Sequence, residues 1–279
     1  MKKLLVFMLT AAMVLSMASC GKAEKKDRLA QIKERGYIEI CTEPYFAPSE
    51  FIDSSKEGDE QYQGMDIEIM KVIADRIGVE LHIVPLEFTA VLSGVAEGKY
   101  DLALSAIGWK KDREEAMAFS IGYTGTTDDS GYGFLCREGE EGKYTTKESV
   151  KDAVVITQSG SLQEGLFRDQ IGEENCKELK FMSSMNDCFL AVKEGKADIA
   201  VCAIGNADLY AEANDGLKTA TFKFEQDEKL SGAHAAACKE GTESLLEVVN
   251  EVLKELQDSG KLYEWNDYYK EYAASLGIE

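Results

Sequence analysis

The sequence holds few side chains that could carry covalent or metal chemistry. Its two histidines are His82 and His234, and its seven cysteines form no C-x-x-C pair, so there is no zinc-like ligand set. No ordered Ser/His/Asp or Cys/His arrangement of a nucleophile and a base is visible either. We therefore predict no metal, no cofactor and no catalytic residues, and a protein that is not an enzyme.

Arg113 is the side chain with the clearest binding chemistry. Of the 31 Lys and Arg residues, only six are arginines. A planar, permanently charged guanidinium donates two parallel hydrogen bonds to a carboxylate, a geometry that lysine cannot reproduce. Arg113 is thus a candidate for holding a small carboxylate. The alternative is a surface arginine that pairs with Glu114 or Glu115.

The composition excludes several classes of partner. The chain has 31 Lys+Arg against 51 Asp+Glu, a formal net charge of −20. Nucleic-acid affinity depends on basic residues that neutralise phosphates, so this balance argues against a nucleic-acid partner and against adsorption to anionic lipid. With 279 residues and 44% hydrophobic content, the length favours two folded domains.

The first twenty residues have the layout of a secretory signal. Lys2 and Lys3 precede an almost wholly apolar run at residues 4–17, which is too short to cross a hydrocarbon core. The following Ala-Ser-Cys resembles the lipobox of bacterial lipoproteins, in which the cysteine receives lipid such as palmitate and becomes the N-terminus. This implies a signal peptide over 1–19, a lipid anchor at Cys20 and a tether over 20–28. The alternative is an ordinary cleaved signal.

The other six cysteines are spread along the chain: Cys41, Cys136, Cys176, Cys188, Cys202 and Cys238. An exported protein could pair them as disulfides. Buried free thiols that pack as small apolar side chains are equally compatible with the sequence, so both readings stay open.

Apolar spacing predicts helices and strands in alternation. The predicted helices cover residues 29–35, 70–77, 89–97 and 188–194, and the predicted strands cover 37–41, 79–84, 101–104, 154–157 and 198–202. Such alternation is typical of an α/β fold with mainly parallel strands.

One ten-residue pattern occurs twice. Residues 95–104 and 192–201 share V-x-E-G-K-x-D-[LI]-A-[LV]. Each copy predicts a helix end, a glycine turn and a buried strand, which indicates two similar α/β lobes. Ligands of open α/β sheets bind beyond the carboxyl ends of the strands, so the loops that start at Ser105 and Cys202 are expected to face one cleft. Chance similarity between two helix-to-strand turns is the alternative.

Several ordered motifs resemble those of the family 3 extracellular solute-binding proteins, the polar amino-acid receptors of ABC importers. The motifs are L-A-Q-I-K-E-R-G at 29–36, E-P-Y-F-A-P at 43–48, G-M-D-I-E-I at 64–69, G-K-Y-D at 98–101, Q-S-G-S-L-Q-E at 158–164 and G-K-L-Y-E-W at 260–265. The likeness covers nearly all of residues 29–269. It implies a two-lobed periplasmic-binding-protein fold of type II, with two mainly parallel sheets flanked by helices and joined by two hinge strands.

Two breaker-rich stretches, residues 124–131 and 226–232, are the natural crossings between such lobes. We expect a discontinuous lobe 1 over residues 29–127 and 228–279, and an inserted lobe 2 over residues 128–227.

The resemblance also implies ligand contacts. Arg113 matches the residue that grips the ligand α-carboxylate, Phe46 and Phe88 match aromatic walls, and Glu43 matches a position that touches the ligand side chain in some members. Further contacts are expected from a strand-end loop of lobe 1 and from a helix start of lobe 2: Ser105, Ala106, Gly108, Trp109, Ser161 and Leu162. A helix cap is the alternative role for Ser161.

Ala203 departs from the family pattern. An acidic residue that pairs with the ligand α-ammonium usually follows the strand that corresponds to residues 198–202. Because burying an ammonium without a carboxylate is costly, either Glu43 or Asp208 substitutes for the missing acid, or the ligand lacks a free α-ammonium.

We therefore expect an extracytoplasmic, lipid-anchored and monomeric receptor. It would close about its hinge over an amino acid or a related small carboxylate, and deliver this ligand to an ABC permease in the membrane. The alternative is a periplasmic enzyme on the same fold, similar to cyclohexadienyl dehydratase, because fold does not fix function.

Overall fold

A computed structural model describes residues 27–123, 131–225 and 234–277. These residues form two lobes, each built around its own five-stranded sheet. The expected signal peptide, the anchor at Cys20, both expected lobe boundaries and the two hinge strands lie outside the described residues. Within the described ranges, no helix is both long enough and apolar enough to cross a membrane.

Lobe 1 takes its elements from both ends of the described chain. Its helices are α1 (Arg28–Arg35), α2 (Met65–Ile77), α3 (Phe88–Glu97), α4 (Lys111–Glu114), α8 (Glu243–Asp258) and α9 (Lys261–Leu276). Its strands are β1 (Tyr37–Thr42), β4 (Glu80–Pro85), β5 (Leu102–Ala103), β6 (Met117–Gly122) and β12 (Ala235–Lys239), with a separate hairpin of β2 (Phe51–Ile52) and β3 (Tyr62–Gln63) that flanks a 3₁₀ turn at Gly58–Gln61.

Lobe 2 is formed by the middle of the chain. Its strands are β7 (Tyr132–Arg137), β8 (Val154–Gln158), β9 (Glu178–Met182), β10 (Ile199–Ala203) and β11 (Leu217–Lys223). Its helices are α5 (Leu162–Gln170), α6 (Met185–Lys193) and α7 (Ile204–Ala213), and short 3₁₀ turns occur at Glu141–Lys143, Lys147–Val150 and Glu173–Asn175.

The two sheets share one topology. Their strand orders are β4-β1-β5-β12-β6 in lobe 1 and β9-β8-β10-β7-β11 in lobe 2. In each sheet the first three strands pair in parallel, the fourth is antiparallel to both of its neighbours, and the edge strand follows it. Each sheet therefore has four strands in one direction and one reversed. The predicted mainly parallel sheets are confirmed, although the reversed strand makes each sheet mixed.

The repeated sequence pattern occupies equivalent places in the two lobes. It covers the end of α3 and strand β5 in lobe 1, and the end of α6 and strand β10 in lobe 2. Gly98 and Gly195 both adopt positive φ, 76° and 72°, which glycine reaches without strain and which turns the chain from the helix into the sheet. The repeat is therefore structural in both copies.

The aspartate of each copy ties its turn to the neighbouring strand. Asp101 accepts a hydrogen bond from the Glu39 backbone N–H of β1 (2.8 Å), and Asp198 accepts one from the Val154 N–H of β8 (2.7 Å). Each also binds arginine: Arg28 and Arg35 pair with Asp101, and Arg137 pairs with Asp198. The aspartate of the repeat therefore anchors its turn to a neighbouring strand in both lobes.

Apolar helix faces cover the sheets. In lobe 1, α2 and α8 contribute Ile69, Met70, Ile73, Val249 and Val252 to a common core. In lobe 2, Phe134 and Phe167 pack in one cluster, and Phe189 lies in another with Leu135. Strand residues Phe134 and Leu135 are neighbours and point to opposite faces, so the lobe 2 sheet is buried on both sides.

The six described cysteines are free thiols, five of them buried and Cys176 partly exposed. Burial raises the pKa of Cys41 to about 12, so its thiol is neutral at physiological pH. Of the two roles left open by the sequence, the structure has the cysteines as small apolar packing residues.

The two equivalent aspartates differ in burial, and this predicts unequal effects of substitution. The Asp101 side chain is fully buried, whereas that of Asp198 is 36% exposed. Asp101→Asn should lower the free energy of unfolding by about 3 kcal/mol, because it leaves two arginines without their buried counter-charge. Asp198→Asn should cost about 1 kcal/mol, since water screens that pair. Urea unfolding of the two variants measures the difference, and equal losses would contradict it.

Candidate functional site

A cleft between the two lobes brings together polar and aromatic side chains from both. Its empty volume is about 390 Å³. The lining residues are Glu43, Phe46, Phe88, Ser105, Ala106, Gly108, Arg113, Tyr132, Gln158, Ser161, Leu162, Gln163 and His234. Loops after β1 and β5 and helix α4 supply the lobe 1 side, and the turn from β8 into α5 supplies much of the lobe 2 side.

Arg113 lies at the centre of this cleft on the short helix α4. It is only 5% exposed. Its Nη1 donates to the Gly108 carbonyl at 2.6 Å and its Nη2 donates to the Gly160 carbonyl at 2.8 Å, while the guanidinium stands 5.5 Å from the Phe88 ring centroid. Both hydrogen bonds go to neutral carbonyls, and no Asp or Glu of the described ranges forms an ion pair with Arg113.

Within the described ranges, the charge of Arg113 is therefore buried without an ion-pair partner, and the charge of the neighbouring Asp112 offsets only part of the effect of burial on its pKa. Burial lowers the pKa of the Arg113 guanidinium to about 10, which still leaves it protonated at physiological pH. Burying a cation without an ion-pair partner costs free energy. The arrangement favours an anionic group from a ligand, which would replace the carbonyl partners with charge-assisted hydrogen bonds.

The lobes are in contact around the cleft. The Arg113 bond to Gly160 joins lobe 1 to lobe 2, and the Asn206 side-chain amide donates to the Ala47 carbonyl at 2.9 Å. An apolar cluster also spans the lobes, in which Leu209 of α7 packs with Phe51 and with Tyr269 of α9. The structure is thus a closed arrangement of the two lobes.

The loop after β5 is fixed by buried acids. The Ser105 hydroxyl accepts a hydrogen bond from the Glu43 N–H at 2.9 Å and donates to Glu50 at 3.3 Å. Ala106 adopts φ 45°, a left-handed conformation that is unfavourable for alanine, and its N–H donates to Asp66 at 3.0 Å. Backbone strain held in this way is frequent at ligand sites.

Glu50 and Asp66 form a buried carboxyl pair behind the loop. Neither side chain is exposed, and the Tyr123 hydroxyl donates to Asp66 at 2.6 Å. Burial raises the pKa of Asp66 to about 6 and raises the pKa of Glu50 well above its ordinary value. A hydrogen bond between the two carboxyls raises the pKa of Glu50 and lowers that of Asp66, so Glu50 holds the shared proton.

Glu43 is the acid that reaches the cleft itself. Its side chain is buried and its Oε1 atom has no hydrogen-bond partner. Burial raises the pKa of Glu43 well above the ordinary value, against a smaller opposing effect from a hydrogen bond with Gln158. A cation brought by a ligand would favour the ionised carboxylate again.

Ser161 and Leu162 begin helix α5 at the lobe 2 wall. Ser161 is the N-cap residue, and its Oγ accepts from the Glu164 N–H at 3.1 Å. Leu162 approaches Gly108, where a Cβ atom would lie 3.1 Å from the Leu162 Cδ2 atom. A serine or threonine at position 108 would therefore require the Leu162 side chain to shift by a few tenths of an ångström.

Two of the eleven expected ligand contacts do not line the cleft. Trp109 follows Gly108, which forms a bridge to His234, but Trp109 itself is not among the residues that line the cleft. Ala203 ends β10 and is only partly buried. Asp208, one of the two acids considered as a substitute at Ala203, is exposed on α7 and accepts a hydrogen bond from Thr219 at 2.8 Å.

Four lining residues were not predicted: Tyr132, Gln158, Gln163 and His234. Gln158 and Gln163 flank Ser161 within the glutamine-rich motif at 158–164, and this spacing could have indicated them. Burial lowers the pKa of His234 to about 4, so its imidazole is neutral, and the ring packs edge-on against Phe46 at 6.4 Å between centroids. Among the described residues no group of three His, Cys, Asp or Glu could hold a metal ion.

Comparison with known proteins decides the family. The sequence model for bacterial extracellular solute-binding proteins, family 3, matches residues 38–272. The chain belongs to this family. As a member of a family of extracellular proteins, this solute-binding protein acts outside the cytoplasm.

Individual relatives of this solute-binding protein include both binding proteins and enzymes. It is 25% identical to the arginine-binding extracellular protein ArtP of Bacillus subtilis, over 94% of this chain and 95% of that protein. It is 23% identical to a cyclohexadienyl dehydratase of Pseudomonas aeruginosa, over 92% of this chain and 91% of that protein. An amino acid ABC transporter substrate-binding protein from Streptococcus pneumoniae, bound to L-arginine, superposes with a TM-score of 0.79 at 28% identity, covering 88% of this chain and 98% of that one.

The Glu50–Asp66 pair predicts a pH dependence of stability. Because the folded pKa of both carboxyls is raised, the folded state binds protons more tightly than the unfolded state, and stability falls as pH rises from about 4 through about 6. For Asp66 the loss is up to about 3 kcal/mol. Glu50→Gln supplies a permanent N–H donor to Asp66, so the decline in unfolding free energy between pH 5 and pH 7.5 should become smaller.

Urea unfolding at pH 5 and pH 7.5 measures this decline for the wild type and for Glu50→Gln. The exposed substitution Glu251→Gln, which removes one acid from helix α8, is the matched control and should behave as the wild type does. An equal decline in Glu50→Gln and the wild type would show that the pair does not share a proton.

Proposed function

We propose that this solute-binding protein is the receptor of an ABC importer, and that it binds an amino acid or a related small carboxylate by closing its lobes over the ligand. The observation that carries the proposal is the buried guanidinium of Arg113 in the cleft between the lobes, which forms no ion pair with any acid that the structure describes. A ligand carboxylate there satisfies both the charge and the paired N–H donors. The names of the relatives, arginine-binding and amino-acid-binding receptors among them, support the same ligand class.

The polar groups around Arg113 suit the rest of such a ligand. Phe46 and Phe88 supply aromatic walls, and Glu43 supplies a carboxylate for a cationic group. Since this acid is buried with an unpartnered oxygen, it gains most from a ligand ammonium. The combination of one cation and one acid in a small cleft fits a zwitterion better than a simple anion.

Closure follows from where these groups lie. Contacts to the ligand from lobe 1 residues such as Arg113 and from lobe 2 residues such as Gln158 and Ser161 can all form only when the lobes are together. A ligand that binds both lobes therefore shifts the equilibrium toward the closed state. This is the change that a permease partner would recognise.

The proposal includes a membrane anchor and a monomeric state. The signal-like residues 1–19 followed by Cys20 support cleavage and lipid attachment at that cysteine, palmitate included. The charged and small residues 21–26 suit a tether that holds the folded lobes at the outer face of the membrane.

Substitution of Arg113 tests the binding role. A thermal-shift panel of free amino acids, opines, amines and small peptides first identifies binders, because a ligand of the folded state raises the melting temperature. Calorimetry with those binders should show at least a 100-fold loss in Arg113→Met, and a smaller loss in Arg113→Lys, which keeps the charge but not the planar fork.

The control is Arg76→Met, which removes an exposed arginine that pairs with Glu255, neither of which lines the cleft. It should leave affinity unchanged. Retained affinity in Arg113→Met, with a normal melting temperature, would refute the role assigned to Arg113.

A dehydratase is the second candidate function, and Glu43 is the observation that favours it. A carboxyl whose pKa is raised by burial, beside a carboxylate-binding arginine, has the properties of a general acid. Under the receptor proposal, incubation with prephenate or arogenate should give no aromatic product. Product formation that is abolished by Glu43→Gln would overturn the receptor proposal in favour of the enzyme.

A further inference from the structure

A second and larger chamber lies between the lobes beside the cleft. It is partly open to solvent, and its volume with that open space included is about 1280 Å³, against about 390 Å³ for the cleft on the same measure. Lobe 1 supplies the loops after β1 and β4, and lobe 2 supplies the start of α6 and part of α7. Glu43 lines both spaces, so the cleft and the chamber meet at its carboxyl group.

The charges of the cleft limit what it can hold alone. Among the lining residues that the structure describes, Arg113 is the one permanently charged base and Glu43 is the one acid. A carboxylate fits at Arg113, and a cation finds its only carboxylate at Glu43, where the chamber begins. The side chain of Glu43 is 2% exposed and its Oε1 atom has no partner, so the junction holds an unpaired buried acceptor.

The chamber has its own electrostatic character. Its charged lining residues are Glu43, Glu87 and Asp187, and no Lys, Arg or His of the described ranges lines it. Asp187 is close enough to Glu43 to raise its pKa through charge repulsion. An anionic group would be repelled from this space, whereas a cation would be attracted.

Apolar and aromatic side chains complete the chamber wall from both lobes. Tyr45 of lobe 1 and Leu190 of lobe 2 are each 43% exposed there, and the buried Tyr62 and Tyr210 also face the space. Exposed apolar surface on both sides of one cavity indicates a ligand surface that covers it. Tyrosine faces also attract cations.

We propose that the ligand spans both spaces and is a dipeptide-sized amino-acid derivative with an uncharged or cationic tail. Its carboxylate lies at Arg113, its ammonium at Glu43, and its tail in the chamber among Tyr45, Leu190 and Asp187. In a dipeptide, a neutral amide takes the place of the α-ammonium next to the carboxylate. The cleft therefore needs no acid beyond Glu43. The inference rests on the proposed function, since it uses Arg113 as the carboxylate anchor.

Calorimetry with four probes tests the inference: L-alanine, L-alanyl-L-alanine, L-arginyl-L-alanine and L-glutamyl-L-alanine. These share a C-terminal alanine and differ in what they extend toward the chamber. L-arginyl-L-alanine should bind at least tenfold more tightly than L-alanine and than L-glutamyl-L-alanine, with L-alanyl-L-alanine in between.

Two variants separate the chamber from the cleft. Ser183→Trp places a bulky side chain at an exposed position of the chamber wall and should weaken L-arginyl-L-alanine at least tenfold, while changing L-alanine less than twofold. The double variant Glu87→Gln/Asp187→Asn keeps side-chain shape and should remove most of the preference for the arginyl over the alanyl dipeptide. Glu251→Gln/Asp267→Asn, on exposed faces of α8 and α9, is the matched control and should behave as the wild type does.

The outcomes distinguish the two proposals. If free amino acids bind in an Arg113-dependent manner but L-arginyl-L-alanine binds no more tightly than L-alanine, or Ser183→Trp has no effect on it, the inference is overturned and the proposed function stands. If no amino acid or dipeptide binds in an Arg113-dependent manner, the proposed function fails and the inference fails with it.

Discussion

The buried positive charge of Arg113 is the interaction on which the rest of the site depends. Two carbonyls, one from each lobe, each accept one hydrogen bond from its Nη atoms, and no acid of the described ranges forms an ion pair with it. Removing a charge from water costs several kcal/mol, and a partner anion with good hydrogen-bond geometry offsets part of this cost. A ligand carboxylate therefore stabilises the closed lobes more than the open ones, which couples binding to closure.

The acids behind the cleft give lobe 1 its fixed binding surface. Asp66 holds the strained Ala106 backbone, and Glu50 accepts from Ser105, which in turn binds the Glu43 N–H. Because the Glu50 and Asp66 carboxyls share a proton, the pair carries one negative charge near the ligand and not two. The raised pKa values of the two carboxyls lower the stability of the fold at neutral pH. Their hydrogen bonds hold the loop that carries Gly108 toward Arg113 before the ligand binds.

Local sequence signals predicted the parts of the fold that depend on local structure. The repeated pattern at residues 95–104 and 192–201 indicated two similar lobes, because a helix end, a glycine and a strand are specified by adjacent residues. The sequence did not predict that Asp101 and Asp198 join their turns to the neighbouring strand of the sheet, because their partners lie more than 40 residues away in the chain.

The site was predicted unevenly for the same reason. Nine of the eleven expected contacts meet in the cleft, since ordered motifs bring them there, while their roles in binding stay a proposal. His234 was missed because only the pairing of its segment with Gly108 brings it to the cleft. The Glu50–Asp66 pair was missed because its proton sharing depends on burial, which the sequence does not encode locally.

The side on which a residue lies was the hardest feature to predict. Gly108 and Trp109 are adjacent, yet of the two only Gly108 lines the cleft. Asp208 is similar: it lies on the helix that follows Ala203 but on the exposed face of it. In both places the residue type suited the expected role and the geometry did not.

A crystal structure of the protein with a bound amino acid or dipeptide tests the central claim most directly. The account predicts that the ligand carboxylate lies within about 3 Å of the two Arg113 Nη atoms and replaces at least one of their carbonyl partners. A ligand bound between the lobes with its carboxylate held elsewhere, and with Arg113 still bound to Gly108 and Gly160, would contradict it.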